Sequence, residues 1–201
     1  MWARLESNTI VEILTRPKAL NIGDVKYPRN IFSMWTDAEL AVIGIVPVTI
    51  DNTNFKNQEY YINTNQSFAY DTETGVATAT YGTATAKAIA DTLYTADDET
   101  ANAENVEGTV ATRGLKYNHK EVINSQAAGM LQQTDWMVVR AAEGGTAVPS
   151  DITTKRAAVR TKANAMQVQI DGAANVDALA ALYEYNDATP PVRPLGELPT
   201  V

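Results

Sequence analysis

Leu115-Lys116-Tyr117-Asn118-His119-Lys120-Glu121-Val122-Ile123-Asn124-Ser125-Gln126-Ala127-Ala128-Gly129-Met130-Leu131 is the stretch on which the fold class turns. Leu115, His119, Val122, Ile123, Gln126, Ala127, Met130 and Leu131 recur at steps of three and four. That is the period of one face of a helix, and it predicts a helix of about 22 residues beyond Thr109. A second stripe, Ile152, Val159, Ala163, Met166 and Ile170, has the narrow seam of a coiled coil, which permits dimers or trimers. Ser150 or Asp151 is its expected N-cap and Gly172 its stop. Gly144-Gly145 and Pro149 lie between the stripes, so the two helices should reverse and pair as an antiparallel hairpin. A shorter third helix carries Val176, Leu179, Leu182 and Tyr183. Pro190, Pro191, Pro194 and Pro199 then make the last dozen residues extended and available for docking.

Upstream the period falls to two. Trp2-Ala3-Arg4-Leu5-Glu6 alternates, Ser7-Asn8 supplies turn chemistry, and Ile10-Val11-Glu12-Ile13-Leu14 resumes an apolar run, which predicts a β-hairpin ending before Pro17. Thr36-Asp37-Ala38-Glu39 has the spacing of a capping box and should start a short helix that Gly44 and Pro47 end. Val46-Pro47-Val48-Thr49-Ile50 reads as an edge strand or extended exit, because proline cannot donate to a ladder. A second hairpin is expected over 66–81, turning at Asp71-Thr72-Glu73-Thr74-Gly75 and leaning on a neighbour for want of apolar content. Residues 84–108 are Ala/Thr-rich and then acidic, which reads as a linker or a surface segment of weak structure. The expected fold is α+β. Residues 1–83 form a small mixed β module with a short helix, and 84–108 the linker. Residues 109–186 form a helical hairpin with a third helix, and 187–201 the extended tail.

Composition narrows the function. At 201 residues, 45% hydrophobic and 20% charged, the chain suits one compact domain or two small ones. With no cysteine and a single histidine, a disulfide framework, a thiol nucleophile and a His-rich metal centre are all excluded. The net charge of −8 argues against nucleic acid, which demands a basic footprint. That charge is uneven, −8 over residues 51–108 and +4 over 109–170. No run approaches the ~18 apolar residues of a membrane helix, and the start lacks a basic region followed by an apolar one, so no membrane association is expected. Ala, Thr and Asn make up about a third of the chain. Such small polar side chains bury little area each, so partners are expected to complete the burial.

No catalytic, cofactor or metal residue emerges. His119 lies on the apolar stripe without a serine or carboxylate at triad spacing and reads as a helix-interface histidine. Asp71-x-Glu73-x-Gly75 lacks the remainder of a calcium loop, and Asp97-Asp98-Glu99 reads as a solvated face. Gly144-Gly145 has neither the strand nor the Lys-Ser/Thr pair of a phosphate cradle. Arg156 and Arg160 have Asp135, Glu143 and Asp151 as ordinary ion-pair partners. Trp2, Trp35 and Trp136 stand in apolar sequence and should pack in a core or interface.

Two stretches carry a resemblance. Met1-Trp2-Ala3-Arg4-Leu5 through Val11-Glu12-Ile13, with Tyr27-Pro28-x-Asn30-Ile31-Phe32 and Trp35-x-x-Ala38-Glu39-Leu40-x-x-Ile43-Gly44-Ile45, resembles the N-terminal module of tail-associated proteins from tailed bacteriophages. Leu131-Gln132-Gln133-Thr134-Asp135-Trp136, with Arg140-Ala141-x-Glu143, Pro149 and Lys155-Arg156-Ala157-Ala158-Val159-Arg160, is similar to a signature of phage tail-fibre assembly proteins. The Trp-Pro ending usual in that family is replaced here by residues 175–185 and the Pro-rich tail. The resemblance implies a non-enzymatic virion protein, made in the host cytoplasm and residing in the tail at the baseplate or fibre-attachment region. Its partners would be other tail, baseplate or fibre proteins, and it would be a homo-oligomer in a symmetric assembly. Stable contacts of this kind bury on the order of 800 Å² per partner, with Trp2, Tyr27 and Trp35 as expected anchors. The alternatives are a fibre-assembly chaperone absent from the mature particle and a host-glycan binding module.

Overall fold

The computed structural model describes residues 1–200 and is mixed α+β, a β-sheet module followed by helices. It divides into two compact units, Met1–Thr85 and Ala86–Val201.

The first unit opens with the hairpin expected from alternation, β1 (Trp2–Glu6) and β2 (Thr9–Leu14). Ser7 and Asn8 take φ of 48° and 64°, the left-handed pair that a two-residue turn needs to match strand twist. A second small hairpin follows, β3 (Leu20–Ile22) with β4 (Val25–Tyr27). Next come α1 (Ile31–Met34) and α2 (Asp37–Val42). The capping box at α2 forms as the spacing requires: the Glu39 N–H donates to Thr36 Oγ1, and the Thr36 N–H donates to Glu39 Oε2 at 2.7 Å. The chain continues into β5 (Ile45–Asp51), β6 (Tyr61–Ile62), β7 (Gln66–Asp71), β8 (Val76–Tyr81) and β9 (Thr85–Ala86).

Five strands form the main sheet in the order β2-β1-β5-β8-β7, with β6 and β9 in a small sheet of their own. The expectation of an edge strand at Val46–Ile50 is corrected, because β5 is central. Its first half pairs antiparallel with β1 (Ala3 opposite Val46) and its second half parallel with β8 (Val48 opposite Ala77). Pro47 sits where the strand passes from one neighbour to the other, so its missing N–H costs the ladder little.

Both faces of this sheet are apolar. On one, Trp2, Leu14 and Ile45 meet Leu20, Ile31 and Leu40 from β3, α1 and α2. On the other, Ala3, Val46 and Ala77 are buried with Leu5, Ile13, Val48 and Tyr70 around them. The sheet coils until its edge strands β2 and β7 touch, which closes this second face on itself. Alanines 3, 77 and 79 are fully buried there, and small side chains are what so tight a coil admits. A register shift between Arg4 and Leu5 adds to the bend. Gly44 is required beside it: φ is +76°, and a Cβ would stand 2.7 Å from the Leu5 carbonyl oxygen.

In the second unit, β10 (Thr92–Leu93) pairs with β11 (Val110–Thr112), and α3 (Ala96–Ala101) lies between them. The long helices are α4 (Leu115–Ala142) and α5 (Ser150–Gly172), packed together, and α6 (Val176–Ala181) follows. At 28 residues α4 exceeds the expected length, continuing past the clear stripe to Ala142. Pairing is antiparallel: Lys120 meets Asp171, Asn124 meets Gln167, and Asp135 meets Arg156. Val159, Ala163, Met166 and Ile170 are buried. The seam that permitted dimers or trimers therefore lies buried within the unit. Pro149, rather than Ser150 or Asp151, occupies the N-cap of α5.

Two further expectations are corrected here. Residues 84–108 are not a bare linker, since they contain β10 and α3, and residues 88–91 are tied to the start of α4. The tail is not a free arm. Leu195 is fully buried, its N–H donates to the Leu182 carbonyl at 3.0 Å, and Lys162 donates to the Leu195 carbonyl at 2.8 Å. The Arg193 guanidinium lies over the rings of Tyr183 and Tyr185 and pairs with Glu197. Prolines fixed the extended backbone, but one leucine among them was enough to anchor it.

Candidate interaction site

The three expected anchors all lie in the first unit, around one apolar cluster. Trp2 packs its ring on Phe32 with centroids 4.8 Å apart, and Tyr27 meets Trp35 edge-on at 5.8 Å. All four rest, half-buried, against Leu14, Leu20, Ile31, Leu40 and Ile45. β1 delivers Trp2, the single turn of α1 carries Phe32 to meet it, and β4 ends on Tyr27. Aromatic pairs of this kind add ~0.5–1.5 kcal/mol beyond their burial. The anchors therefore serve as packing for the unit, with part of each ring left to solvent. Beside them Pro17, Arg29, Asn30, Phe32 and Ser33 line an open cavity.

The helical unit holds a different arrangement. Arg156, almost wholly buried on α5, donates to the Leu131 carbonyl at 2.6 Å, to Thr134 Oγ1 at 2.5 Å and to Asp135 Oδ1 at 2.7 Å. One guanidinium thus spends its planar fork on three acceptors from a single turn of α4. Leu131, Thr134 and Asp135 belong to the second resembling stretch, as does Arg156. Those residues form one clasp that fixes α5 against α4. Trp136, next to the clasp, is 55% exposed, with the Arg140 guanidinium over its ring, and Val139 is also exposed. The packing expected of Trp136 from its apolar neighbours is not found within this chain, because it points away from the face that holds Ile123 and Ala127. His119 is buried at the hairpin interface with its ring 4.7 Å from that of Tyr183.

A third feature concerns the beginning of α4. The first N–H groups of a helix lack internal partners. Here the Leu115 and Lys116 N–H groups donate to the Ala88 and Ile89 carbonyls, both at 3.0 Å, and the Gly114 N–H donates to Asp91 Oδ1 at 2.8 Å. The backbone N–H of Gly114, then the Arg113 guanidinium, hold the Asp91 carboxyl below its ordinary range. Gly114 has to be glycine, since a Cβ would lie 2.3 Å from the Ala90 carbonyl.

The other displaced carboxylates do local structural work. Asp71 is lowered by the Thr74 hydroxyl and the Glu73 N–H as it closes the β7–β8 turn, which is the role of the Asp71–Gly75 segment. Glu39 and Asp98 are lowered by the capping boxes that start α2 and α3. Glu12 is lowered first by Lys18, then by Arg4.

No protein-family profile, curated protein or solved structure matches the chain.

Sequence reasoning missed Phe32, Arg29 and Pro17 as members of a site. Phe32 had a usable signal, since it ends the Tyr27-Pro28-x-Asn30-Ile31-Phe32 stretch and its period places it beside Trp35. Arg29 occupied the unspecified position of that stretch and had none. The Arg156 pairing with Asp135 was legible as an ion-pair option; the Thr134 hydroxyl and the backbone carbonyl of Leu131 were not.

Proposed function

We propose that this chain is a structural component of a bacteriophage tail, sited at the baseplate or fibre-attachment region and acting through protein–protein interfaces. The observation that carries the reading is the clasp. The residues by which the second stretch resembles tail-fibre assembly proteins act together, Leu131, Thr134 and Asp135 all holding Arg156. A signature whose members share one structural task is better support than scattered matches. The half-exposed aromatic corner of the first unit and the exposed Trp136 and Val139 of the second offer surfaces of the kind that interfaces use as anchors. In this reading the protein needs no cofactor and no catalytic residue, joins neighbouring tail proteins, and assembles with the symmetry of the tail.

The exposed Trp136 also favours a second reading, a fibre-assembly chaperone that binds transiently and leaves. Quantitative mass spectrometry of purified particles separates the two. A fixed, symmetric copy number relative to the tail proteins is the expected result. Absence from particles, with abundance in infected lysate, overturns the structural role in favour of the chaperone.

A further inference from the structure

We propose that the cavity lined by Pro17, Arg29, Asn30, Phe32 and Ser33 is a carboxylate-recognition pocket that receives an acidic peptide segment of a neighbouring protein. At about 310 Å³ it lies at the small end of ligand-sized cavities and suits one or two side chains.

Its chemistry is asymmetric. Pro17 and the Phe32 ring supply an apolar wall, and Phe32 is held from behind by Trp2 and by the cluster around Ile31, so that wall is in place before any ligand arrives. Arg29 supplies a planar fork of donors that matches a carboxylate. Among the described residues Arg29 has no carboxylate partner, whereas Arg4 is paired with Glu6 and Glu12, and Lys18 with Glu12. The Ser33 hydroxyl donates to the Asn30 carbonyl and keeps its lone pairs, and the Asn30 amide nitrogen faces Met34 Sδ, which leaves the Asn30 side-chain oxygen to accept a peptide N–H.

Charge selects the occupant. Residues 16–29 carry Arg16, Lys18, Lys26 and Arg29 against Asp24, and with Lys18 paired to Glu12 the run keeps a positive excess through Arg16, Lys26 and Arg29, in a chain whose net charge is −8. A positive run in a chain of negative net charge favours a short anion over an extended polyanion such as nucleic acid, which demands a wider basic footprint. An apolar wall beside a guanidinium fits an Asp or Glu flanked by an aliphatic residue.

This inference rests on reading the β unit as a docking module. Copy number in particles tests that reading, while the experiment here uses the full chain in solution, so the two fail separately. The probe is a synthetic peptide with the sequence of residues 95–107, which combines five carboxylates with Val106. It is titrated into the isotope-labelled full chain and followed by the amide resonances of Arg29 and Phe32 and the indole of Trp2.

The expected result is saturable shifts at these residues, absent when every Asp and Glu of the peptide is replaced by Asn or Gln. Affinity should fall at least tenfold in Arg29→Ala and be partly restored in Arg29→Lys. Arg29 is exposed, so both variants keep the fold, which near-ultraviolet circular dichroism verifies. Equal shifts with the neutral peptide, unchanged affinity in Arg29→Ala, or tighter binding of glucuronic acid or inorganic phosphate at the same residues would overturn the proposal.

Discussion

The two units solve the problem of few large side chains in opposite ways. The β unit packs both faces of one sheet, aromatic and aliphatic groups on one side and alanines inside a tight coil on the other. The helical unit has a thin seam of Val159, Ala163, Met166 and Ile170, supplemented by polar cross-links at spaced points, of which Arg156 is the most buried. Packing energy is spread over many neighbours, whereas a clasp concentrates orientation in a few atoms. The β unit should therefore respond to changes of volume and the helical unit to changes of hydrogen-bonding capacity.

The largest contrast is expected from volume. Ile45→Ala, at a fully buried position, should cost ~2–5 kcal/mol in denaturant unfolding followed by signals of the β unit, as large-to-small core changes do. Gly44→Ala should cost about 1–3 kcal/mol through its positive φ and the approach to Leu5. A helix-side truncation at an exposed site, Val168→Ala, should leave stability within ~0.5 kcal/mol.

Changes to the clasp come next. Arg156→Ala should destabilise the helical unit by about 1–3 kcal/mol. The figure stays below that for a fully buried pair because Asp135 is 54% exposed and is rehydrated when its partner goes. Arg156→Lys should recover little, since a single ammonium does not reproduce the fork. Recovery by Arg156→Met would instead assign the effect to packing of the side-chain stem.

The smallest effect is pH-dependent. Asp91 has a folded pKa below its ordinary value of ~3.9, so its contribution is present above that value and lost as the pH falls through the lower, folded one. Amide protection at Leu115 and Lys116, corrected for the intrinsic pH dependence of exchange, should fall in that acidic window relative to Ile123. An unchanged ratio across that window would mean that Asp91 does not hold residues 88–91 to the start of α4.

Legibility follows the same division. Elements set by local pattern could be read directly: the Ser7-Asn8 turn, the Thr36–Glu39 box, and the reversal between Gly144 and Pro149. Elements set by distant partners could not. Pro47 argued for an edge, yet a strand that changes neighbours at the proline is compatible with the centre of a sheet. The acidic composition of 84–108 concealed the backbone carbonyls of Ala88 and Ile89, which act whatever side chains they carry. The β3–β4 hairpin escaped notice because three-residue strands are too short to show a period. Of the interaction site, the aromatic residues could be recognised by type, while their pairing, and the cavity with Arg29, depend on α1 meeting β1 across some thirty residues of chain.

Leu131, Thr134, Asp135 and Arg156 act as one mechanical unit. A double-mutant cycle between Arg156→Ala and the pair Thr134→Val with Asp135→Asn tests this most directly, read as unfolding free energy of the helical unit. The expected result is a coupling of about 1–2 kcal/mol, with the combined variant little worse than Arg156→Ala alone. Additive losses, with coupling near zero, would contradict it and reduce the clasp to separate surface contacts.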